Sequence, residues 1–104
     1  MNLEKIIGKR VIVRSGKSGV HFAVLDQYDS ASRTAVLRKS RRLWKWSGAA
    51  SCSELATAGV ANPKSSKISP AVPMMIVEDV IEVLRCTRAA RVNIRGCPVW
   101  SCHG

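Results

Sequence analysis

Short apolar runs separated by turn-forming residues fill the first half of the chain. Val11-Ile12-Val13, held between Lys9-Arg10 and Arg14-Ser15-Gly16, is a β-branched run that predicts a short strand. Gly16-Lys17-Ser18-Gly19 then reads as a hairpin turn. Val20 to Tyr28 alternates imperfectly. It puts Val20, Phe22 and Val24 on one face and His21, Ala23 and Leu25 on the other, the pattern of a strand with both faces partly covered. Asp29-Ser30-Ala31-Ser32 is the next turn. A third strand begins over Thr34 to Leu37, and Arg42 to Trp46 extends it or opens another. This half predicts a curled antiparallel meander.

Gly48 breaks that pattern. Ser51-Cys52-Ser53-Glu54 fits a capping box, in which the first serine hydroxyl accepts from the third helical N–H and Glu54 reaches back. Leu55 to Ala58 completes about two turns, and Gly59 supplies the stop. Asn62 to Pro73 holds three of the four prolines and reads as a loop or an edge segment. Met74 to Leu84 is the most apolar stretch. It predicts a strand, a turn or bulge near Glu78-Asp79, and a second strand over Val80 to Arg85. Thr87 can cap a helix over Arg88 to Ile94 that ends at Gly96, and Pro98-Val99-Trp100 closes as an edge strand or a docked tail. The fold class expected is α+β: a small curled, barrel-like antiparallel sheet with one or two short helices. Residues 1–104 read as a single compact domain with its core at about 8–100 and a tail at 101–104.

Composition narrows the chemistry. The chain has 104 residues, with 17 Lys+Arg against 7 Asp+Glu, a net charge of +10. That length excludes large enzyme scaffolds such as an eight-fold βα barrel. A hydrophobic fraction of 46% excludes a disordered tail. No run approaches the ~20 apolar residues of a membrane span, and the start lacks the apolar stretch of a secretory signal, so a soluble, intracellular protein without a membrane partner is expected. The four cysteines then read as ordinary thiols rather than a disulfide framework. Cys97, Cys102 and His103 form a C-x4-C-H cluster that would need Cys52, Cys86 or His21 to complete a metal site, and nothing in the spacing demands it. No metal and no cofactor is expected.

The positive charge is uneven. Residues 1–50 carry eleven basic and three acidic side chains, and residues 51–104 carry six and four. Arg33, Arg38, Lys39, Arg41, Arg42 and Lys45 follow one another with no acid between them. Such a stretch attracts phosphates, though a solvated basic face is the plain alternative. Trp44 and Trp46 flank Lys45, and on a strand both indoles share one face, as core or as a stacking platform for bases. Ser51 heads a helix whose free N–H groups can take an anion, or it is only a cap. His21 is the one histidine away from the tail, and no carboxylate and nucleophile form a triad with it. Ser15 to Ser18 imitates the end of a phosphate-binding loop, but Val11 stands where that motif requires Gly.

The segment Arg42-Leu43-Trp44-Lys45-Trp46-Ser47-Gly48-Ala49-Ala50-Ser51, followed by Leu55-Ala56, resembles a family of small proteins of unknown function encoded by tailed bacteriophages and prophages. Gly19-Val20-His21, Ile81-Glu82-Val83, Cys86-Thr87, Ala90 and Val99-Trp100 extend the resemblance over roughly residues 10–100. Cys52 departs from it, since that family usually has an apolar residue there, and the tail after Trp100 also departs. The resemblance implies a phage or prophage origin and a compact α+β domain. It implies no activity.

Together these features lead to the expectation of a non-enzymatic protein that sequesters a phosphorylated, nucleotide-type ligand of a bacterial defence system in the cytoplasm of the infected host. Arg41, Arg42, Lys45, Trp44, Trp46, Ser51 and His21 are its candidate ligand-binding residues. A chain this short makes a small pocket alone, so a homo-oligomer is expected. The alternatives are a nucleic-acid-binding accessory protein, although no known DNA- or RNA-binding module is legible, and an inhibitor docking on a host protein. No constellation of residues argues for catalysis.

Overall fold

A computed structural model describes residues 5–45, 52–62 and 66–99, without the side chains of Trp44 and Lys45. The expected capping box at Ser51, the break at Gly48, Trp46, Trp100 and the pair Cys102 and His103 lie outside the described residues. Six strands and two helices follow one another. They are β1 (Arg10–Ser15), β2 (Gly19–Asp29), β3 (Thr34–Lys45), α1 (Cys52–Ala58), β4 (Lys67–Ile68), β5 (Val72–Val77), β6 (Val80–Arg85) and α2 (Arg88–Arg95). The fold is α+β, as the pattern predicts.

The sheet runs β4-β3-β2-β1-β6 with every neighbour antiparallel. Strand β3 extends without interruption to Lys45, which decides between the two continuations left open by the sequence. Its twelve residues are long enough to take two partners on the same edge: β5 lies along Ala35 to Ser40 and β4 along Leu43 to Lys45. The proline-rich Asn62–Pro73 stretch contains the two-residue edge strand β4 and, from Val72, the start of β5. Val99 makes an isolated parallel bridge to Ile68, which docks the end of the described chain on that edge.

Only Glu78 and Asp79 separate β5 from β6, yet the two strands do not form a hairpin. Strand β5 pairs with β3 and β6 pairs with β1, at opposite ends of the sheet. A link this short can span the sheet only if the sheet curls until its ends nearly meet. It remains unclosed. The join is fastened by backbone bonds from Gly16 N to Asp79 O (3.0 Å) and from Val80 N to Arg33 O (3.0 Å). Ser15 Oγ donates to Glu78 O (2.7 Å) and accepts from Lys17 N and Ser18 N (both 3.1 Å). Asp79 turns the chain with φ at 54°, in the left-handed region that costs a non-glycine residue some strain. Lys39, at φ 52°, sits at a register shift between β2 and β3, and a bulge of this kind sharpens the curl.

Curling explains why β1 and β2 are apolar on both faces. Val11, Val13, Ala23, Leu25, Ala35, Leu37, Val77 and Val80 fill the inside of the curl. Ile12, Val20, Phe22, Leu43 and Ile68 point the other way, against Leu55 and Ala56 of α1 and Ala90 and Ile94 of α2. The two-faced alternation expected over Val20 to Tyr28 is therefore real: Phe22 and Leu25 belong to different cores. Helix α1 ends at Gly59, whose φ of 79° and missing Cβ admit the side chain of Asn93 against its backbone. Asn93 in turn accepts from Val60 N (2.7 Å) and donates to Val60 O (2.8 Å), tying α2 to the end of α1.

The hydroxyl of Ser15 answers three backbone groups at the join of the curl. Ser15→Ala should therefore lower stability by about 1–2 kcal/mol, read as a lower urea midpoint with an unchanged slope.

Candidate functional site

Strand alternation and cross-strand acids take apart the basic stretch that the sequence singles out. Arg33 pairs with Asp79 (3.3 Å) and Arg38 with Asp26 (3.0 Å), so two of its cations are answered by acids from other elements. Arg41 and Arg42 are neighbours on β3, and their side chains leave on opposite faces. Arg42 lines a shallow hollow of about 180 Å³ with Ser69, Val72 and Met75, and its backbone N–H donates to Ser69 Oγ (2.7 Å).

Arg41 is 8% exposed. Its Nε donates to Ser69 O (2.8 Å), its Nη1 to Ile94 O (2.9 Å), and its Nη2 to Cys97 O (3.2 Å) and Pro98 O (3.5 Å). Arg41, expected at a ligand site, is placed with its guanidinium on backbone carbonyls. The guanidinium closes the C-terminal end of α2, where orphan carbonyls and the helix dipole both favour a cation. Burial lowers its pKa, and the carbonyls supply what water no longer does.

His21 also points inward. It is fully buried, opposite Val13 on β1 and Arg42 on β3. Its Nε2 lies 2.9 Å from Ser18 Oγ, and its Nδ1 has no partner among the described residues. Desolvation, helped by the nearby Arg42 charge, pulls its pKa from 6.5 to about 4. The ring is neutral at pH 7, buried, and beside Arg42 across the strand pair. Of the seven candidate residues, Trp46 and Ser51 and the side chains of Trp44 and Lys45 lie outside the described residues. Arg41, Arg42 and His21 are not brought into a common hollow.

A different cluster is. Lys9 and Arg10 at the start of β1, Arg85, Cys86 and Thr87 at the junction of β6 with α2, and Arg88 and Arg91 on the first turns of α2 surround a hollow of about 470 Å³. Among the described residues, five cations line it and no acid does. Four ion pairs among the described residues, Arg14–Glu82, Lys17–Glu78, Arg33–Asp79 and Arg38–Asp26, all bypass these five side chains. Thr87 Oγ1 caps the helix by accepting from Ala90 N (3.1 Å), and it donates to Thr57 O. Cys86 N donates to Arg10 O (2.9 Å), and Thr87 N to Ala56 O (2.8 Å), so the walls are fixed to one another through the backbone. The Arg10 guanidinium lies 5.1 Å from the centroid of the Phe22 ring and donates to Lys39 O (3.3 Å). Burial, then repulsion from Arg95, lowers its pKa. The Cys86 thiol sits at 6% exposure, and burial pushes its pKa up to about 11. It is an inert thiol rather than a nucleophile.

The chain matches, over residues 8–94, a family described as a domain of unknown function (DUF6948). It belongs to that family. Neither a curated protein nor a solved structure matches it. The matched span of this DUF6948 chain contains both Lys9-Arg10 and the Arg85–Arg91 segment, so the hollow lies within the family region.

A sequence signal for the hollow exists in Arg85, Arg88, Arg91 and Arg95. Spacings of three and four put the last three on one side of a helix. Counting charge by halves hides it, because Glu78, Asp79 and Glu82 offset these arginines in number while pairing elsewhere. Metal chemistry has no built site here: among the described residues no three metal-ligating side chains come together. Cys52, Cys86 and Cys97 are free thiols, and Cys97 Sγ donates to Asn93 O (3.4 Å).

Removing the Arg41 guanidinium strands buried carbonyls at the end of α2. Arg41→Ala should cost about 3 kcal/mol in urea denaturation, and Arg41→Lys should recover little of it, because an ammonium cannot reach the same set of carbonyls at once.

For His21 the sign is fixed by a folded pKa below the unfolded one. Above pH 6.5 the ring is neutral in both states and pH has no leverage through it. As pH falls from 6.5 to about 4, the unfolded chain takes up a proton that the folded chain refuses, and stability drops. The loss should reach about 3 kcal/mol, and His21→Leu should remove that component from the difference between denaturation midpoints at pH 7 and pH 4.5.

Proposed function

We propose that this protein is a non-enzymatic binder of a phosphorylated, nucleotide-type ligand and that the hollow beside α2 is its anion seat. What supports the reading is the lining: Lys9, Arg10, Arg85, Arg88 and Arg91 around about 470 Å³, with no carboxylate among them. That volume falls within the ~300–1,000 Å³ of small-ligand sites. The cost to the fold is a second support. Helix α2 begins with Arg88 and has no acid in its first turn, against the helix dipole, at about 0.3–1 kcal/mol. Stability alone does not favour that arrangement, and an anion in the hollow reverses its sign.

A tailed-phage or prophage origin, action in the cytoplasm of the infected bacterium and sequestration of a nucleotide signal of host defence complete the proposal. Their support is the resemblance carried by the Arg42-to-Ser51 motif. A homo-oligomer is part of it too, with β5 as the place for the contact. That strand pairs only with β3 and exposes Val72, Met74 and Ile76.

One observation favours nucleic acid as a second reading. The lining contains no aromatic side chain on which a nucleobase would stack, and phosphates alone would be read. Thermal shift and titration against cyclic and linear nucleotides, beside random single- and double-stranded oligonucleotides at two salt concentrations, separate the readings. The proposal expects at least one nucleotide to raise Tm, with affinity falling at least about tenfold in the Arg88→Gln/Arg91→Gln variant. Oligonucleotide binding with a steep salt slope and no nucleotide shift supports the second reading instead. Binding to neither class sinks both.

A further inference from the structure

The hollow beside α2 is more selective than a patch of positive charge. We infer that it takes a run of two or more consecutive phosphate groups, with pyrophosphate as the smallest such ligand, in preference to a single phosphoryl group. This rests on the nucleotide-type reading and specifies which part of such a ligand the hollow holds.

The first argument is a count of donors. Four of the five cations in the lining are arginines, each offering a planar fork of N–H groups that matches two oxygens at once. Four forks and an ammonium outnumber the oxygens of one phosphoryl group. A single phosphate would leave much of the lining still in mutual repulsion, whereas adjacent phosphates add both oxygens and charge without adding bulk.

The second argument is that the forks are aimed and unspent. Arg10 is held by the Phe22 ring face and by one bond to Lys39 O, which leaves its other N–H groups for the hollow. Arg91 and the Cys86 thiol line the same hollow as Arg10. Arg91 Nε is buried with no acceptor among the described residues. A buried unsatisfied donor is costly, and a swing of the guanidinium toward a phosphate oxygen in the hollow relieves it. Among the described residues no carboxylate lines the hollow, and the ion pairs around β1 and β6 (Arg14–Glu82 and Lys17–Glu78) lie at the other end of those strands.

The third argument is rigidity. Lys9 O accepts from Leu25 N (3.1 Å), Arg10 O from Cys86 N (2.9 Å), and Thr87 O from Arg91 N (3.0 Å). The three segments that carry the cations are therefore registered before any ligand arrives, which lowers the ordering cost of binding.

The test uses the full chain and three inorganic probes at constant ionic strength: orthophosphate, pyrophosphate and tripolyphosphate, by isothermal titration. Pyrophosphate should bind at least about tenfold more tightly than orthophosphate, and tripolyphosphate no more weakly than pyrophosphate. Arg91→Gln and the exposed Arg88→Gln should each weaken pyrophosphate by about tenfold while leaving the urea midpoint no lower in the absence of ligand. Equal affinity for orthophosphate and pyrophosphate overturns the inference even where a nucleotide binds, and the nucleotide reading then survives it. Pyrophosphate binding indifferent to both substitutions also overturns it. Failure of every phosphate and nucleotide probe removes the inference and the reading together.

Discussion

Helix α2 stays on the sheet because Arg41 holds its C-terminal end. The helix has eight residues and buries only Ala90 and Ile94, too little apolar surface to dock a segment of that length firmly. Polar ties supply the rest. Arg41 takes the carbonyls of Ile94, Cys97 and Pro98, Asn93 takes both backbone groups of Val60, and Thr87 bonds to Thr57. The dipole gives this arrangement a direction. A cation at the C-terminal end is favourable, a cation at the N-terminal end is not, and α2 has Arg41 at the first and Arg88 at the second. The buried arginine thus offsets part of the cost of the exposed one, and the hollow lined by Arg88 and Arg91 depends on a residue that no ligand touches.

The curl of the sheet provides the other half of the frame. Because Glu78-Asp79 spans from β5 to β6 across the nearly closed ends, β1 and β2 must bury both faces, and one core forms inside the curl while another forms under the helices. Lys9 and Arg10 stand where β1 enters this double layer. Arg10 caps the aromatic ring of Phe22, a member of the helix-side core, and its carbonyl fixes the start of the β6–α2 junction. Packing therefore sets the separation between the sheet wall and the helix wall of the hollow.

Local patterns made most of the elements legible. Thr87 as N-cap, Gly96 at the far end and the arginines between them delimit α2 within a residue of its observed end, because capping chemistry is local. The break at Glu78-Asp79 was equally visible. Pairing across the sheet was not: nothing in Val72 to Val77 says that it lies on β3 rather than beside β6. The same limit governs the site. Arg41 and Arg42 look alike as letters in a basic run, and only the position of α2 over one face of β3 makes one a buried clamp and leaves the other beside Ser69. Residues that meet through topology rather than through spacing, such as Arg10 and Arg91, carry no signature along the chain.

Charge is where topology changes the meaning of the sequence most. A net charge of +10 treats all basic residues as equivalent, but the fold sorts them. Glu78, Asp79 and Glu82 are each spent on a cation near the β5–β6 link, and Asp26 on Arg38. Lys9, Arg10, Arg85, Arg88 and Arg91 are gathered around the hollow instead, with Arg95 close enough to disturb Arg10. A concave seat concentrates the field of these side chains where the guanidinium forks stand. Exposed basic residues scattered over the surface would give the same net charge without this convergence, so the argument for a discrete anion seat lies in the geometry of α2 against β1 and not in the number of lysines and arginines.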